Sequence, residues 1–406
     1  MADLSTIPAA GMVQKKCAGS FAIWKEWFGL DALDTLLNRF LDMGIPAFDC
    51  LIYHKGKKAY RRLAGFADYE RTRTLDTKQL FRIYSVTKLI TVTAVMQMIE
   101  AGTLRLEDRL SDFFPEFAQM QVKAGDSVRN ADTPITMEHL LTMTAGFSYD
   151  RSPDRPAWCA ARAASDGHCP TVQTVRFLAH EPLEYEPGTG WQYSFGHDIL
   201  AAVVETISGE RFGAYVKKRI FTPLGMTQST FDDGQIPEGA LCAQYRYHSD
   251  THAMMNCGLE VQNGFRLGDA YESGGAGCCS TAEDVMKLLE ALRKGEILRP
   301  ETVTLLSTNH LRGVQTEIFQ KDQADTRYGY GLGVGCPNGT AGWNMFGWGG
   351  AAGAYCAVDR ENELSIVYLQ HVMNAPNKYL RRELYPAAMR ELDLIERKIK
   401  FSAIVG

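Results

Sequence analysis

One helix limits what this chain can fold into more than any other feature. The run from about Ser85 to Ala101 carries Val86, Leu89, Ile90, Val92, Val95, Met96, Met98 and Ile99, and Gly102 follows where a glycine commonly ends a helix. These apolar residues cover most of the circumference, so other elements must enclose the helix on nearly every side. The flanking pattern predicts what encloses it. Asp31–Met43 reads as an amphipathic helix with Leu33, Leu36, Leu37, Phe40 and Leu41 on one side, stopping at Gly44 and Pro46. Phe48–Tyr53 reads as a strand, Lys55–Lys57 as a turn, and Ala59–Ala67 as the returning strand of a hairpin. Phe81–Tyr84 leads into the central helix. Helical patterns follow at Met137–Thr142, Thr171–Leu178, His197–Ile207, Phe212–Ile220 and Thr281–Lys294, and Ser280-Thr281-Ala282-Glu283 resembles a capping box. Strands return at Tyr328–Val334, Asn344–Trp348, Ala354–Asp359 and Leu364–Leu369, and a last helix is predicted over about Lys378–Arg397. Strands near both ends with helices between them predict an α/β (α+β) fold. Its antiparallel sheet is built from both chain ends and flanked by helices, and a mostly helical lobe is inserted. The expected division is 1–84, 85–325 and 326–406, with one catalytic unit overall.

Composition narrows the functions open to such a fold. The 406 residues are 45% hydrophobic and 22% charged, as in a globular protein. Lys plus Arg is 43 against 48 for Asp plus Glu, a net charge of −5, so no basic excess is present to neutralise a nucleic acid. No stretch of about 18 apolar residues offers a membrane span. Met1–Lys16 lacks a basic segment followed by an apolar one, so no signal peptide is expected. The ten cysteines are scattered with no C-x-x-C pair, which points to free thiols in a reducing cytoplasm. Adjacent Cys278 and Cys279 are the pair to test for oxidation. None of the nine histidines stands at ligand spacing from another, so neither a catalytic metal nor another cofactor is expected.

Three segments carry possible chemistry. In Ser85-Val86-Thr87-Lys88 the serine and lysine lie one turn apart on the same helix face. Ser85 sits at the positive end of the helix dipole, and a lysine stripped of water gives up its proton more readily and serves as a base. Two common residues fix this motif, so alone it also fits a helix cap beside a solvated lysine. The apolar surroundings of Lys88 argue against solvation, and a cap favours an acid where the lysine stands. The second segment, Gly188 to Gly196, holds Tyr193 in a loop; a phenol beside an ammonium can shuttle a proton, though a packed loop aromatic is the simpler role. The third, Phe346 to Ala354, is rich in glycine. It suits either a hairpin turn or a backbone N–H aimed at an oxyanion, and it lacks the Lys-Ser/Thr of a phosphate loop. Ser148 misses the nucleophile-elbow pattern because Asp150 stands where glycine is needed. His371, after a strand, reads as structural rather than as a triad base.

Taken in order, these pieces resemble the serine β-lactamase-like superfamily, in the branch of class C β-lactamases, D-Ala-D-Ala carboxypeptidases and family VIII carboxylesterases. His139–Phe147, Phe221–Thr230, Gly274–Gly277 and Ser280–Asp284 resemble further family segments, and the likeness spans roughly Phe48 to Gln370. It implies a β-lactamase/transpeptidase-like fold with Ser85 acylated, Lys88 and Tyr193 beside it, and an oxyanion hole from the backbone amides of Ser85 and Ala351. Trp348-Gly349-Gly350 stands where the lactamases carry Lys-Thr-Gly and resembles the esterase form. Phe195 stands where the family's Tyr-x-Asn carries asparagine. Phe195, Trp348, Gly349 and Gly350 are thereby expected at the substrate. Both departures weaken recognition of a β-lactam or peptide and leave acyl transfer intact. The implied activity is that of a serine hydrolase on small or medium acyl esters. A β-lactamase, a D-stereospecific peptidase, an acyltransferase or a silent binding relative are the alternatives. The partner is a small-molecule ester, with neither nucleic acid nor membrane, and the oligomeric state is open. The long segment Met120–Cys169 is expected to shape the pocket.

Overall fold

The computed structural model describes residues 32–257, 265–339 and 343–392. Within them a seven-stranded antiparallel sheet joins the two ends of the chain. Helix α1 (Ala32–Asp42) precedes strands β1 (Ala47–His54) and β2 (Lys57–Gly65). The central helix α2 (Thr87–Glu100), α3 (Gly196–Ser208) and α4 (Ala282–Lys294) follow. Strands β3 (Tyr328–Tyr330), β4 (Gly335–Pro337), β5 (Met345–Gly349), β6 (Tyr355–Asp359) and β7 (Leu364–Gln370) then lead to helix α5 (Leu384–Glu391). The spatial order is β2-β1-β7-β6-β5-β4-β3, so β1 from one end of the chain pairs with β7 from the other, Phe48 opposite Gln370 and His54 opposite Leu364.

Alternation along β1 explains the layering. Phe48, Cys50 and Ile52 face a cluster with Leu33, Leu37 and Phe40 of α1 and Leu384 and Ala388 of α5. Ala47 and Leu51 face the opposite cluster, which holds α2 and α4. Helix α2 is enclosed as its composition requires: Leu89, Ile90, Val92, Val95 and Met96 are all buried, and Gly102 follows in the left-handed conformation.

Several boundaries differ from the sequence reading. The α-helix begins at Thr87 because Tyr84–Val86 forms a 3₁₀ turn. Of the expected strand Tyr328–Val334 only Tyr328–Tyr330 (β3) is strand; Gly331–Val334 is not, and β4 begins after it at Gly335. Thr281, not Ser280, caps α4: its side chain accepts from the Asp284 N–H, while the Ser280 hydroxyl meets that of Ser229. Helix α4, counted with the inserted lobe, packs on the sheet, burying Val285, Leu288, Leu289 and Leu292. The last helix is preceded by a 3₁₀ turn at Leu380–Glu383, and its expected end at Arg397 lies outside the described residues. Met120–Cys169 contains a small hairpin (Gln121–Ala124 with Ser127–Asn130) and two short helices. A second small sheet, Tyr245–His248 with Ala253–Asn256 and Val372–Met373, gave no clear signal in the sequence.

Candidate active site

The chain approaches Ser85 through a strained residue. Tyr84 has φ of 45°, a left-handed conformation unusual for a non-glycine residue. Tertiary contacts hold it there: the ring packs edge-on against Phe265 and near His371, and its hydroxyl donates to Gln244 Oε1 at 2.7 Å. No side chain caps the turn or the helix that follows, so the Ser85 hydroxyl is not occupied with capping. Instead Ser85 Oγ lies 2.6 Å from the Tyr193 hydroxyl, which donates to it, and 3.4 Å from Lys88 Nζ.

Lys88 is fully buried, which removes the solvated-lysine reading. Its Nζ donates to the Gly275 carbonyl at 2.7 Å and lies 4.7 Å from the centre of the Tyr193 ring. The segment carrying Gly275 is tied to α2 along its length. Thr91 donates to the Gly274 carbonyl at 2.6 Å, and the Cys278 N–H donates to the Thr87 hydroxyl at 3.1 Å. Glycine is needed at 275 because a Cβ there would stand 2.6 Å from Asp198 Oδ2 and 3.3 Å from Lys88 Nζ.

The loop before α3 presents Tyr193, and aromatic packing sets its angle. The ring stacks on Trp348 with planes 8° apart and centroids 6.1 Å apart, and Tyr149 meets it edge-on at 4.9 Å. Trp348 comes from the end of β5. The following turn, Gly350–Gly353, is braced by the Gly350 N–H donating to the Ala354 carbonyl at 2.7 Å. Here too only glycine fits, since a Cβ on Gly350 would stand 2.4 Å from the Ile83 carbonyl. The turn therefore abuts the backbone leading to Ser85, with Ala351 exposed at its tip.

These groups open onto one cavity of about 400 Å³. Ser85, Tyr149, Tyr193, Phe265, Trp348 and the Gly349–Ala351 backbone line it, and Phe319, Tyr328 and Tyr355 extend its aromatic wall. Lys378, Arg381, Arg382 and Asp322 supply charge elsewhere on the wall. A larger hollow of about 630 Å³ beside the Val314–Gln323 helix holds none of the motif residues. The motif residues Ser85, Tyr193 and Trp348 line the smaller cavity instead.

Phe195 does not reach the cavity wall. Its side chain is buried one layer behind, packed between Tyr149 and Trp158 at centroid distances of 4.7 and 4.9 Å. The apolar core draws it away from the substrate position expected of it, and Tyr149 takes up that wall. Tyr149 was not singled out in the sequence, although it lies in the long segment expected to shape the pocket. Phe265, Gly275 and Asp198 were likewise missed as members of the site; only the Gly274–Gly277 run carried a signal, as a family segment.

Electrostatics round Lys88 are asymmetric. Asp198 is buried beside it, accepting from the Ser273 hydroxyl at 2.6 Å and the Tyr271 hydroxyl at 3.0 Å. Burial outweighs its contacts and raises the pKa of its carboxyl, although the Ser273 hydroxyl, the Lys88 ammonium, the Tyr271 hydroxyl and the Gly275 N–H each act to lower it. His197 is neutral: burial, reinforced by Lys88, holds its pKa well below the usual imidazole range. The His371 Nδ1–H donates to the Cys242 carbonyl at 2.8 Å, and the residue stands in no triad, as the sequence suggested. No group of three His, Cys, Asp or Glu suited to a metal ion occurs among the described residues. No helix among them is long and apolar enough to cross a membrane.

Comparison with known proteins identifies the family and the fold. A family model described as Beta-lactamase matches residues 33–388. Esterase EstB of Burkholderia gladioli is 31% identical over 371 residues, covering 84% of this chain and 92% of its own length. Lovastatin esterase of Penicillium rubens is 30% identical, with coverages of 82% and 90%. Among solved structures, EstCE1, described as a hydrolase with promiscuous acyltransferase activity, superposes with a TM-score of 0.73 at 27% identity, covering 88% of this chain and 97% of that one. Fold, ordered motifs and near full-length matches thus converge, and the chain belongs to the beta-lactamase family.

Proposed function

We propose that the protein is a serine hydrolase of the carboxylesterase type, cleaving small or medium acyl esters through an acyl-enzyme on Ser85. The observation that carries this reading is the placement of Ser85 Oγ within 2.6 Å of the Tyr193 hydroxyl and 3.4 Å of the buried Lys88 Nζ, at the wall of an aromatic cavity. Ser85 Oγ attacks the ester carbonyl carbon as its one proton passes to the Tyr193–Lys88 pair and ends on the Lys88 amine in its neutral form. Backbone N–H groups of Ser85 and Ala351 hold the developing oxyanion. The carbon–alkoxide bond breaks, the alcohol leaves with a proton delivered through Tyr193, and the acyl group stays on Ser85. Water then attacks the acyl carbon and gives a proton to the same pair; the bond from that carbon to Ser85 Oγ breaks, Oγ takes the proton back, and the acid leaves. Trp348, Gly349 and Gly350 border the acyl group. The names of the two esterase relatives and the aromatic wall support an ester over a β-lactam, as does a tryptophan where the lactamases carry lysine. The nine described cysteines are free thiols, which supports the reading of a cytoplasmic enzyme.

Two chromogenic substrates test the proposal. p-Nitrophenyl acetate or butyrate is expected to be hydrolysed with a kcat/KM about 30- to 2000-fold above that for nitrocefin, because one charge-assisted contact worth about 1.5–3 kcal/mol and one neutral hydrogen bond worth about 0.5–1.5 kcal/mol are missing. Ser85→Ala is expected to abolish ester turnover while the melting temperature stays close to that of the wild type. Preference for nitrocefin, or turnover within tenfold of wild type in Ser85→Ala, refutes the assignment.

A further inference from the structure

The proposed mechanism uses Lys88 but leaves its charge unexplained. An ammonium this deeply buried is costly unless an opposite charge lies close. Among the described residues Lys88 makes no direct ion pair; its hydrogen bonds go to a carbonyl and a hydroxyl. The groups facing it can be taken element by element. Its own helix supplies Ser85, the preceding loop the Tyr193 ring, the 273–275 segment a neutral carbonyl, and α3 both His197 and Asp198. His197 is buried and held neutral, with neither ring nitrogen bonded, so it adds no second positive charge. Asp198 is the one carboxylate in this set.

Its geometry ties it to Lys88 twice. Asp198 Oδ2 and Lys88 Nζ converge on the same backbone position, the one where a Cβ on Gly275 would meet both. Asp198 Oδ1 accepts from Ser273 and Tyr271, which anchors the start of the segment whose Gly275 carbonyl holds Nζ at 2.7 Å. The further groups facing Asp198 are the Tyr271 phenol, held neutral by burial and by the carboxylate itself, and the Tyr149 phenol, held neutral by burial. Neither adds a competing charge.

We propose that Asp198 is the positioning residue of Lys88: its carboxylate balances the ammonium, and its hydrogen bonds fix the Ser273–Gly275 strap that holds Nζ against Ser85. This rests on the reading of Lys88 as a base toward Ser85. Removing the negative charge takes away an attraction that holds a proton in the site, so activity is expected to persist to lower pH. A neutral amide oxygen is also a weaker acceptor than a carboxylate, so the strap is held less firmly and the maximum rate falls.

The test compares Asp198→Asn with Ser273→Ala. Asparagine keeps an acceptor for Tyr271 and Ser273 but loses the charge; alanine at 273 loses an anchor and keeps the charge. Asp198→Asn is expected to move the acidic limb of the kcat/KM–pH profile for p-nitrophenyl acetate down by about one pH unit or more and to lower kcat at least tenfold. Ser273→Ala is expected to lower kcat with the limb in place. A limb that stays put in Asp198→Asn, or moves equally in Ser273→Ala, overturns the inference. A second measurement needs no catalysis. Lys88→Met and Asp198→Asn are each expected to lower the melting temperature by several degrees, and the double variant to lose less than their sum; additive losses overturn the pairing. Absence of ester turnover in the wild-type protein would refute the functional reading instead, and the melting cycle would still decide whether the two charges are coupled.

Discussion

Ser85 and Lys88 stand one helical turn apart, and that relation needs only helical geometry. What it can do chemically depends on residues far away in sequence. Tyr193 is 108 residues on and lies 2.6 Å from Ser85 Oγ. Gly275 is 187 residues beyond Lys88 and accepts its proton-bearing nitrogen. Two substitutions separate these roles. Tyr193→Phe keeps the ring stacked on Trp348 and removes the hydroxyl proposed to carry the proton, so kcat/KM for a short-chain ester is expected to fall by about 10²–10⁴ with little change in melting temperature. Lys88→Ala is expected to cost at least about 10² in the same quantity, and also some stability, because it opens a cavity and leaves the Gly275 carbonyl without its partner. Steady-state kinetics with thermal melting on the same samples checks both. Phe195 shows the limit of reading by position: the motif aligned it with a substrate-facing asparagine, but an aromatic side chain gains more from packing against Trp158 and Tyr149 than from lining a cavity.

Among the elements, long apolar patterns were legible and short polar ones were not. The central helix, α1, α3, α4 and the β5–β7 meander lie where periodicity puts them, because each buries a continuous face. The start of α2 was misplaced by two residues. Tertiary contacts hold Tyr84 left-handed and wind the first turn as a 3₁₀ helix, and this conformation leaves the Ser85 hydroxyl uncommitted. The start of α4 was misread by one residue, since Ser280 and Thr281 are both chemically competent caps and only the observed N–H acceptor distinguishes them. Thr281→Ala is therefore expected to cost about 1 kcal/mol of folding free energy, measured by urea denaturation, with ester turnover unchanged.

At the scale of the whole molecule, pairing of β1 with β7 joins both chain ends and makes the sheet one unit against which α2 and α4 are buried. Burial on that scale also encloses two neutral histidines. Burial pushes the pKa of His371 down to about 3, and His197 is likewise held well below its ordinary value. Below about pH 6.5 the unfolded chain takes up protons at both positions and the folded chain does not, so stability falls as pH falls towards the folded pKa. Each histidine is expected to cost about 1.4 kcal/mol at pH 5.5, read as a lower urea midpoint than at pH 7.5. His371→Gln, which keeps a donor for the Cys242 carbonyl, is expected to remove one histidine's share of that pH dependence. The buried thiols follow the same physics. Cys278 and Cys279, the adjacent pair flagged for oxidation, are both buried, and burial raises their pKa values, that of Cys279 to about 12, which keeps them as unreactive thiols.

The sequence by itself determined the helix that must be central, the strands at both ends, and the ordered motifs that mark the family, because each is written in local periodicity or in a short run of residues. The tertiary structure alone decided which residues meet. Trp348 sets the angle of Tyr193, Tyr149 and Phe265 wall the cavity, Phe195 retreats into the core, and Asp198 faces Lys88. Such contacts depend on how side-chain volumes fill the space between elements, and on where a buried charge finds its opposite. Neither quantity exists until the chain has closed on itself.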